Sequence, residues 1–167
     1  AWMRSAAPEV HAAQEHTAED DLRLLAALGP GAHELVELYR RFGGTTDWQG
    51  FFHGCELVPL RSAFGTREMM NGLEHDGTFY RWMPNEWWNP AWLPFLDNHS
   101  YDMYCVDLVG TMGGVAGQIV RWSKDDAGRP ILAPSLGAWL GAHVIGRERG
   151  DWIWDPHEGI RVRSEER

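Results

Sequence analysis

Apolar residues recur at helical spacing shortly after Gly31. Four of them lie at positions i, i+3, i+4 and i+7: Leu35, Leu38, Tyr39 and Phe42. This spacing puts them on one face of an amphipathic helix, which we place at residues 32–42. Acidic residues lie early in this segment, arginines lie late, and a glycine pair follows, as the helix dipole and a glycine cap favour.

Three further segments have helical patterns. Thr17 is expected to cap a helix that ends before Gly29, because its hydroxyl can accept a backbone N–H of the first turn. Ser135 is expected to cap another helix, which ends at Gly146. A shorter helix is predicted over residues 62–70.

Short apolar runs separated by polar, glycine-containing turns indicate β-strands. They cover five segments: residues 56–60, 92–96, 103–108, 117–122 and 131–133. Pro59 suggests that the first lies at a sheet edge or a strand end, because proline cannot donate to a ladder of backbone hydrogen bonds. Short strands joined by such turns favour an antiparallel sheet.

Tryptophans and prolines are concentrated in residues 82–94. Because each proline removes a backbone donor and clashes with the preceding turn, no helix runs through this segment. A tryptophan combines a large apolar surface with an N–H that needs a partner, so the segment forms either a core or a binding surface. Trp87 and Trp88 are adjacent, and in an extended stretch at least one should be exposed or lie in a groove. Trp92 and Trp139 lie within patterned elements and are expected to be core residues.

Composition narrows the class of partner. The chain has 167 residues, 10 of them Trp, and a formal net charge of −9, which is most simply one acidic domain. An acidic domain is a poor candidate for binding nucleic acid and a better one for a basic protein, although solubility alone also explains the charge. No apolar run is long enough to span a membrane and no signal peptide is recognised, so a cytoplasmic location is expected. The oligomeric state is left open.

Motifs for catalysis or cofactor binding are not found in the sequence. The 8 histidines are scattered and form no zinc-ligand spacing, and no nucleophile elbow or phosphate-binding loop occurs. We therefore predict no metal and no cofactor. Asp97, Asp102 and Asp107 lie close together in sequence, where carboxylates can do acid–base chemistry or can hydrogen-bond the backbone of turns. The turn role is favoured for Asp97 and Asp102.

Several segments together resemble the SUKH superfamily, which includes fungal cell-wall assembly regulators and bacterial toxin-immunity proteins. The resemblance lies in the helix with its glycine pair at residues 34–44 and in four later segments: WLPFLD at 92–97, MYCVDL at 103–108, GGVAGQIV at 113–120 and APSLGAWL at 133–140. It implies an α+β fold, a single domain with a mostly antiparallel sheet and helices packed against it. We place this domain at residues 17–146, between a mobile arm at 1–16 and a C-terminal tail at 147–167 that has no strong pattern.

The resemblance implies a non-enzymatic binding role, as a bacterial immunity or regulatory protein. An acidic surface would suit a basic protein partner such as a nuclease-type toxin. Tryptophans and acids supply the predicted contact residues: Trp48, Trp82, Trp87, Trp88, Asp97, Asp102 and Asp107. The alternative is a small enzyme or ligand-binding domain with a Trp-lined pocket that uses His53, His99 and Asp102.

Overall fold

A five-stranded antiparallel sheet is the centre of the fold. The computed structural model describes residues 16–45, 52, 54–76, 78, 85–100, 102–155 and 159–162. The strands are β1 (Glu56–Leu57), β2 (Trp92–Asp97), β3 (Asp102–Asp107), β4 (Gln118–Ser123) and β5 (Ile131–Ala133). Each strand pairs with the next along the chain, so the sheet is a simple meander with β1 and β5 at its edges. This confirms the predicted antiparallel sheet and the α+β class.

Helices pack against this sheet. Within the described residues they are α1 (Glu19–Ala26), a 3-10 turn (Pro30–Ala32), α2 (His33–Arg41), α3 (Leu60–His75) and α4 (Leu136–Glu148). Of the apolar stripe predicted for α2, Leu35, Leu38 and Tyr39 are buried, whereas Phe42 follows the helix and is partly buried. Tyr39 Oη donates a hydrogen bond of 2.6 Å to the carbonyl of Val58. Burial of its phenol raises the pKa of Tyr39. The helix is thus tied to the segment between β1 and α3.

Three predicted helix boundaries differ from the structure. Helix α1 begins at Glu19 after Ala18, so Thr17 lies one residue too early to cap it, and no side chain caps this helix. Helix α3 is longer than predicted at both ends, because it begins directly after its N-cap Pro59 and because its last turn packs through Leu73 on the buried cluster that contains Trp88. Helix α4 passes Gly146, whereas the predicted cap is confirmed: Ser135 Oγ accepts the Ala138 N–H at 3.1 Å.

The sheet is buried on both faces. Because side chains alternate along a strand, Val106 and Ile119 face α1, α2 and α4, whereas Cys105 and Val120 face the opposite side. The second face is covered by a tryptophan cluster and by the end of α3, and its buried residues are Met70, Trp87, Trp88, Trp92, Met103, Cys105, Val120 and Trp122. Trp92 and Trp139 are both buried, which confirms the prediction for these two residues.

The C-terminal part contains a separate hairpin. Strand β6 (Trp152–Asp155) pairs with β7 (Gly159–Val162), and neither joins the main sheet. The sequence has no strong pattern there, because four-residue strands give little periodicity. Among the described residues, no helix has the length and apolar character that crossing a membrane requires.

Candidate functional site

The adjacent tryptophans predicted as contact residues are both in the core. Trp88 is 0% exposed and Trp87 is 5% exposed, and both are core residues, so the prediction that at least one would be exposed or lie in a groove is wrong. The Trp87 ring packs edge-on against Trp122 with centroids 4.9 Å apart, and Trp88 packs edge-on against Trp92 at 5.8 Å. The reason is that residues 85–91 form turns over the sheet instead of an extended strand.

Hydrogen bonds, together with packing, hold residues 85–91 in place. Trp88 Nε1 donates to Asn71 Oδ1 at 2.8 Å, which ties the segment to α3. Trp122 Nε1 and Arg129 Nε both donate to the carbonyl of Trp87, at 2.8 and 3.1 Å. The indole N–H groups that could have marked a binding surface therefore serve the core. The two other tryptophans predicted as contacts, Trp48 and Trp82, lie outside the described residues.

Asp107 is also buried, with 0% of its surface exposed. Its carboxylate accepts backbone N–H bonds from Val109, Gly110 and Thr111 at 3.2, 3.0 and 2.7 Å. It also accepts a bond from Gln118 Nε2 at 2.9 Å. A buried carboxylate needs such donors, and here they shape the loop between β3 and β4. Asp107 is thus a loop-forming residue and offers no charge to a partner's surface.

Asp97 and Asp102 lie on the turn between β2 and β3, and both are partly exposed. Asp97 Oδ1 accepts the backbone N–H of His99 at 2.7 Å, which is the turn role that the sequence favoured. Asp102 Oδ1 accepts a bond from Arg121 Nη2 at 3.1 Å, and its other oxygen accepts one from Asn98 Nδ2 at 3.3 Å. Each acid therefore has a local partner and still faces solvent.

Glu56 joins these two acids, because it lies opposite Asp97 in the β1–β2 register. We name Glu56, Asp97 and Asp102 the acidic hairpin edge. Glu56 pairs with His99 Nε2 at 2.5 Å. Burial raises the pKa of Glu56, and the hydrogen bond and charge of His99 oppose that rise. Burial, with further contributions from Asp97 and Asp102, raises the pKa of Cys55 to about 12, so this thiol stays protonated at neutral pH and is a poor nucleophile.

The alternative of a catalytic or ligand pocket needs His99 and Asp102 to act together. In the structure His99 pairs with Glu56, whereas Asp102 pairs with Arg121. His53 lies outside the described residues. Within the part of the chain that the structure describes, no three His, Cys, Asp or Glu side chains are grouped to hold a metal ion.

Two hollows lie beside α2, at sites not predicted from the sequence. One is a groove of about 320 Å³ between α2 and α4, and the other is a hollow of about 210 Å³ between the start of α2 and the β3–β4 loop. Glu34 borders both, and its Oε2 accepts the N–H of Gly137 at 2.7 Å. No short motif could have revealed them, because their walls come from segments that are distant in sequence.

The fold and the sequence together define the class of this protein: a single α+β domain in which helices pack against a meander sheet. A family model described as the SMI1/KNR4 family (SUKH-1) matches residues 33–142, from the start of α2 into α4. The match covers more than half of the chain, so the protein belongs to this family, and the resemblance noted in the sequence is confirmed. No curated protein matches the chain.

Proposed function

We propose that this protein is a non-enzymatic binding module, an immunity or regulatory protein whose partner is a basic protein such as a nuclease-type toxin. Membership of the SUKH-1 family supports this, because a toxin-immunity or regulatory role is consistent with that family. The observation that carries the choice of surface is the acidic hairpin edge, where Asp97 and Asp102 flank the β2–β3 turn and Glu56 lies opposite Asp97 on the neighbouring strand β1, all three partly exposed.

Charge at this edge can act on a partner at a distance. Asp97 and Asp102 are partly exposed, and the formal net charge of the whole chain is −9. Arg121 offsets part of the local negative charge. Complementary fields chiefly speed association and select partners, so the edge would steer a basic active site toward the protein.

Affinity capture from the source organism tests the proposal. The immobilised full chain should retain one basic protein, identified by mass spectrometry, and its dissociation constant should rise by about tenfold or more in the double variant Asp97→Asn, Asp102→Asn. Asparagine keeps an acceptor for the His99 N–H, so the turn is preserved while the charge is lost. The matched control is Asp125→Asn, Asp126→Asn, on the exposed β4–β5 turn.

Two results would contradict the proposal: no protein bound above background, or equal affinity of the captured partner for both double variants. Coexpression of this protein with the captured partner then distinguishes an immunity role from a regulatory role. If the partner is a toxin, the protein should restore growth of cells that produce it, whereas a regulatory partner should not be toxic.

A further inference from the structure

The β3–β4 loop, residues 108–117, presents an apolar surface. Val109, Met112 and Val115 are 66%, 49% and 54% exposed, and the loop contains no charged residue. A single exposed apolar side chain is ordinary, but three on one ten-residue loop concentrate apolar surface there, and concentrated apolar surface is a mark of protein interfaces. This loop lies at the opposite end of β3 from the acidic hairpin edge.

The loop is held in one conformation by its own hydrogen bonds. The Asp107 carboxylate binds three consecutive N–H groups at its start. At its end, Gln118 Oε1 accepts the Val115 N–H at 3.1 Å, and the Gly117 N–H donates to the Asp107 carbonyl at 2.7 Å. A preorganised loop loses little conformational entropy when a partner binds, so its apolar contacts contribute more of their free energy to affinity.

The hollow of about 210 Å³ adjoins this loop. Ala116 and Gly117 of the loop form part of its wall, His33, Glu34 and Ser135 supply polar atoms, and the lining residues Leu35 and Leu136 are almost fully buried. Sites for drug-sized molecules run from about 300 to 1,000 Å³, so this hollow is on the scale of a protein side chain. Exposed apolar side chains beside a small, partly polar hollow match an interface in which one anchor residue, such as an arginine, enters a pocket.

Glu34 gives the hollow a charge. Its carboxylate lies at the rim and accepts the Gly137 N–H, and among the described residues no Lys or Arg forms an ion pair with it. A cation from a partner would complement it. A second copy of this chain is disfavoured as the occupant, because two chains of net charge −9 would bring like charges together at this rim.

We propose that the β3–β4 loop and the adjoining hollow form a second protein-docking surface. Its occupant is a segment of a partner protein in which an apolar side chain stands next to a Lys or Arg. The cation enters the hollow and pairs with Glu34, and the apolar side chain packs on the exposed Val109 and Val115 of the loop. The inference rests on the proposed function only in that the chain binds proteins, since the two surfaces are separate.

Selection from a random peptide library tests this surface with a defined probe. Peptides displayed on phage are selected on the immobilised full chain, and enriched peptides are synthesised and titrated by calorimetry. We expect an enriched pattern of an apolar residue beside Lys or Arg. The variant Val109→Ser, Val115→Ser should weaken binding by about tenfold or more, and Glu34→Gln, which keeps an acceptor for Gly137, by about threefold or more.

Leu24→Ser and Met69→Ser are matched controls, because these residues are 59% and 57% exposed on other elements, and they should leave peptide affinity within about twofold. Thermal unfolding checks that every variant is folded. The proposal is overturned if no such pattern is enriched, or if the peptides bind the loop variant as tightly as the unchanged chain. It is also overturned if only Asp97→Asn, Asp102→Asn weakens them. A different result would be that a basic partner captured from the host binds the Val109→Ser, Val115→Ser variant as tightly as the unchanged chain. That result would support the proposed function and contradict this second docking surface.

Discussion

At the scale of single residues, the tryptophans are structural. Trp88 has no exposed surface, its Nε1 donates to Asn71, and its ring packs against Trp92 and Trp122. The sequence indicated that these side chains had to be buried against something, but it could not tell a core from a groove, because both offer apolar surface and an N–H acceptor. Residues 85–91 fold over the sheet, and this places the tryptophans in a core and not in a groove.

Replacing this side chain tests its role as a core residue. Trp88→Ala should lower the free energy of unfolding by about 3–5 kcal/mol, the range for large aromatic residues in cores, as measured by urea denaturation. Met69→Ala, at an exposed position of α3, should change it by less than about 0.5 kcal/mol. A near-neutral Trp88→Ala would show that the tryptophan is a surface residue after all.

The half-buried histidine of α4 should make stability depend on pH. His143 packs against Phe52 and Trp139, and burial lowers its pKa below the ordinary 6.5, although its bond with the Trp139 carbonyl opposes this. The unfolded chain therefore takes up a proton at this position before the folded chain does as the pH falls. The stability that His143 contributes is present above about pH 6.5 and is lost as the pH falls below it.

Urea unfolding at pH 7.5 and at pH 5.5 checks the sign. The advantage of the unchanged chain over His143→Gln should shrink at the lower pH. The exposed His75, replaced in the same way, is the control. An advantage that stays constant or grows on acidification would contradict the direction of the pKa shift.

At the scale of elements, local pattern predicted most of the sheet. Strands β2 to β5 lie within about one residue of their predicted limits, because each is a short apolar run between polar turns. Helix α3 is longer than predicted, since Gly65 and Gly72 lower its intrinsic propensity and its last turn is held by tertiary contacts, the packing of Leu73 and the bond from Trp88 Nε1 to Asn71. The two hollows were not predictable at all, because they depend on how α2 and α4 meet.

Substitutions at two glycines test the close contact between the 3-10 turn and the β3–β4 loop. A Cβ at Gly31 would lie 2.3 Å from the Leu108 carbonyl oxygen, so the 3-10 turn touches the β3–β4 loop only because this residue is glycine. Gly31→Ala should lower the free energy of unfolding by about 1–3 kcal/mol. Gly65→Ala in α3 meets no atom within 4 Å and should raise it by about 0.5–1 kcal/mol. Equal effects of the two changes, measured by urea denaturation, would argue against this contact.

At the scale of the whole molecule, the two faces of the sheet belong to the interior, and the proposed surfaces lie at the ends of its strands. Both faces of the sheet are buried, and the two proposed contact surfaces lie at its ends: the acidic hairpin edge at one and the β3–β4 loop at the other. The net charge and the family resemblance were enough to suggest a protein partner. They could not identify the contact residues, since five of the seven predicted ones were tryptophans or an acid now known to be buried or to lie outside the described residues.

The association rate constant of the captured partner, measured against ionic strength, tests the central claim most directly. Steering by the acidic hairpin edge predicts a rate that falls steeply as salt is added, by about tenfold or more, and a slower rate with a flatter salt dependence for Asp97→Asn, Asp102→Asn. The Asp125→Asn, Asp126→Asn control should behave more like the unchanged chain. Identical rates and identical salt dependence for the unchanged chain and the Asp97→Asn, Asp102→Asn variant would contradict the claim that this edge recognises a basic protein.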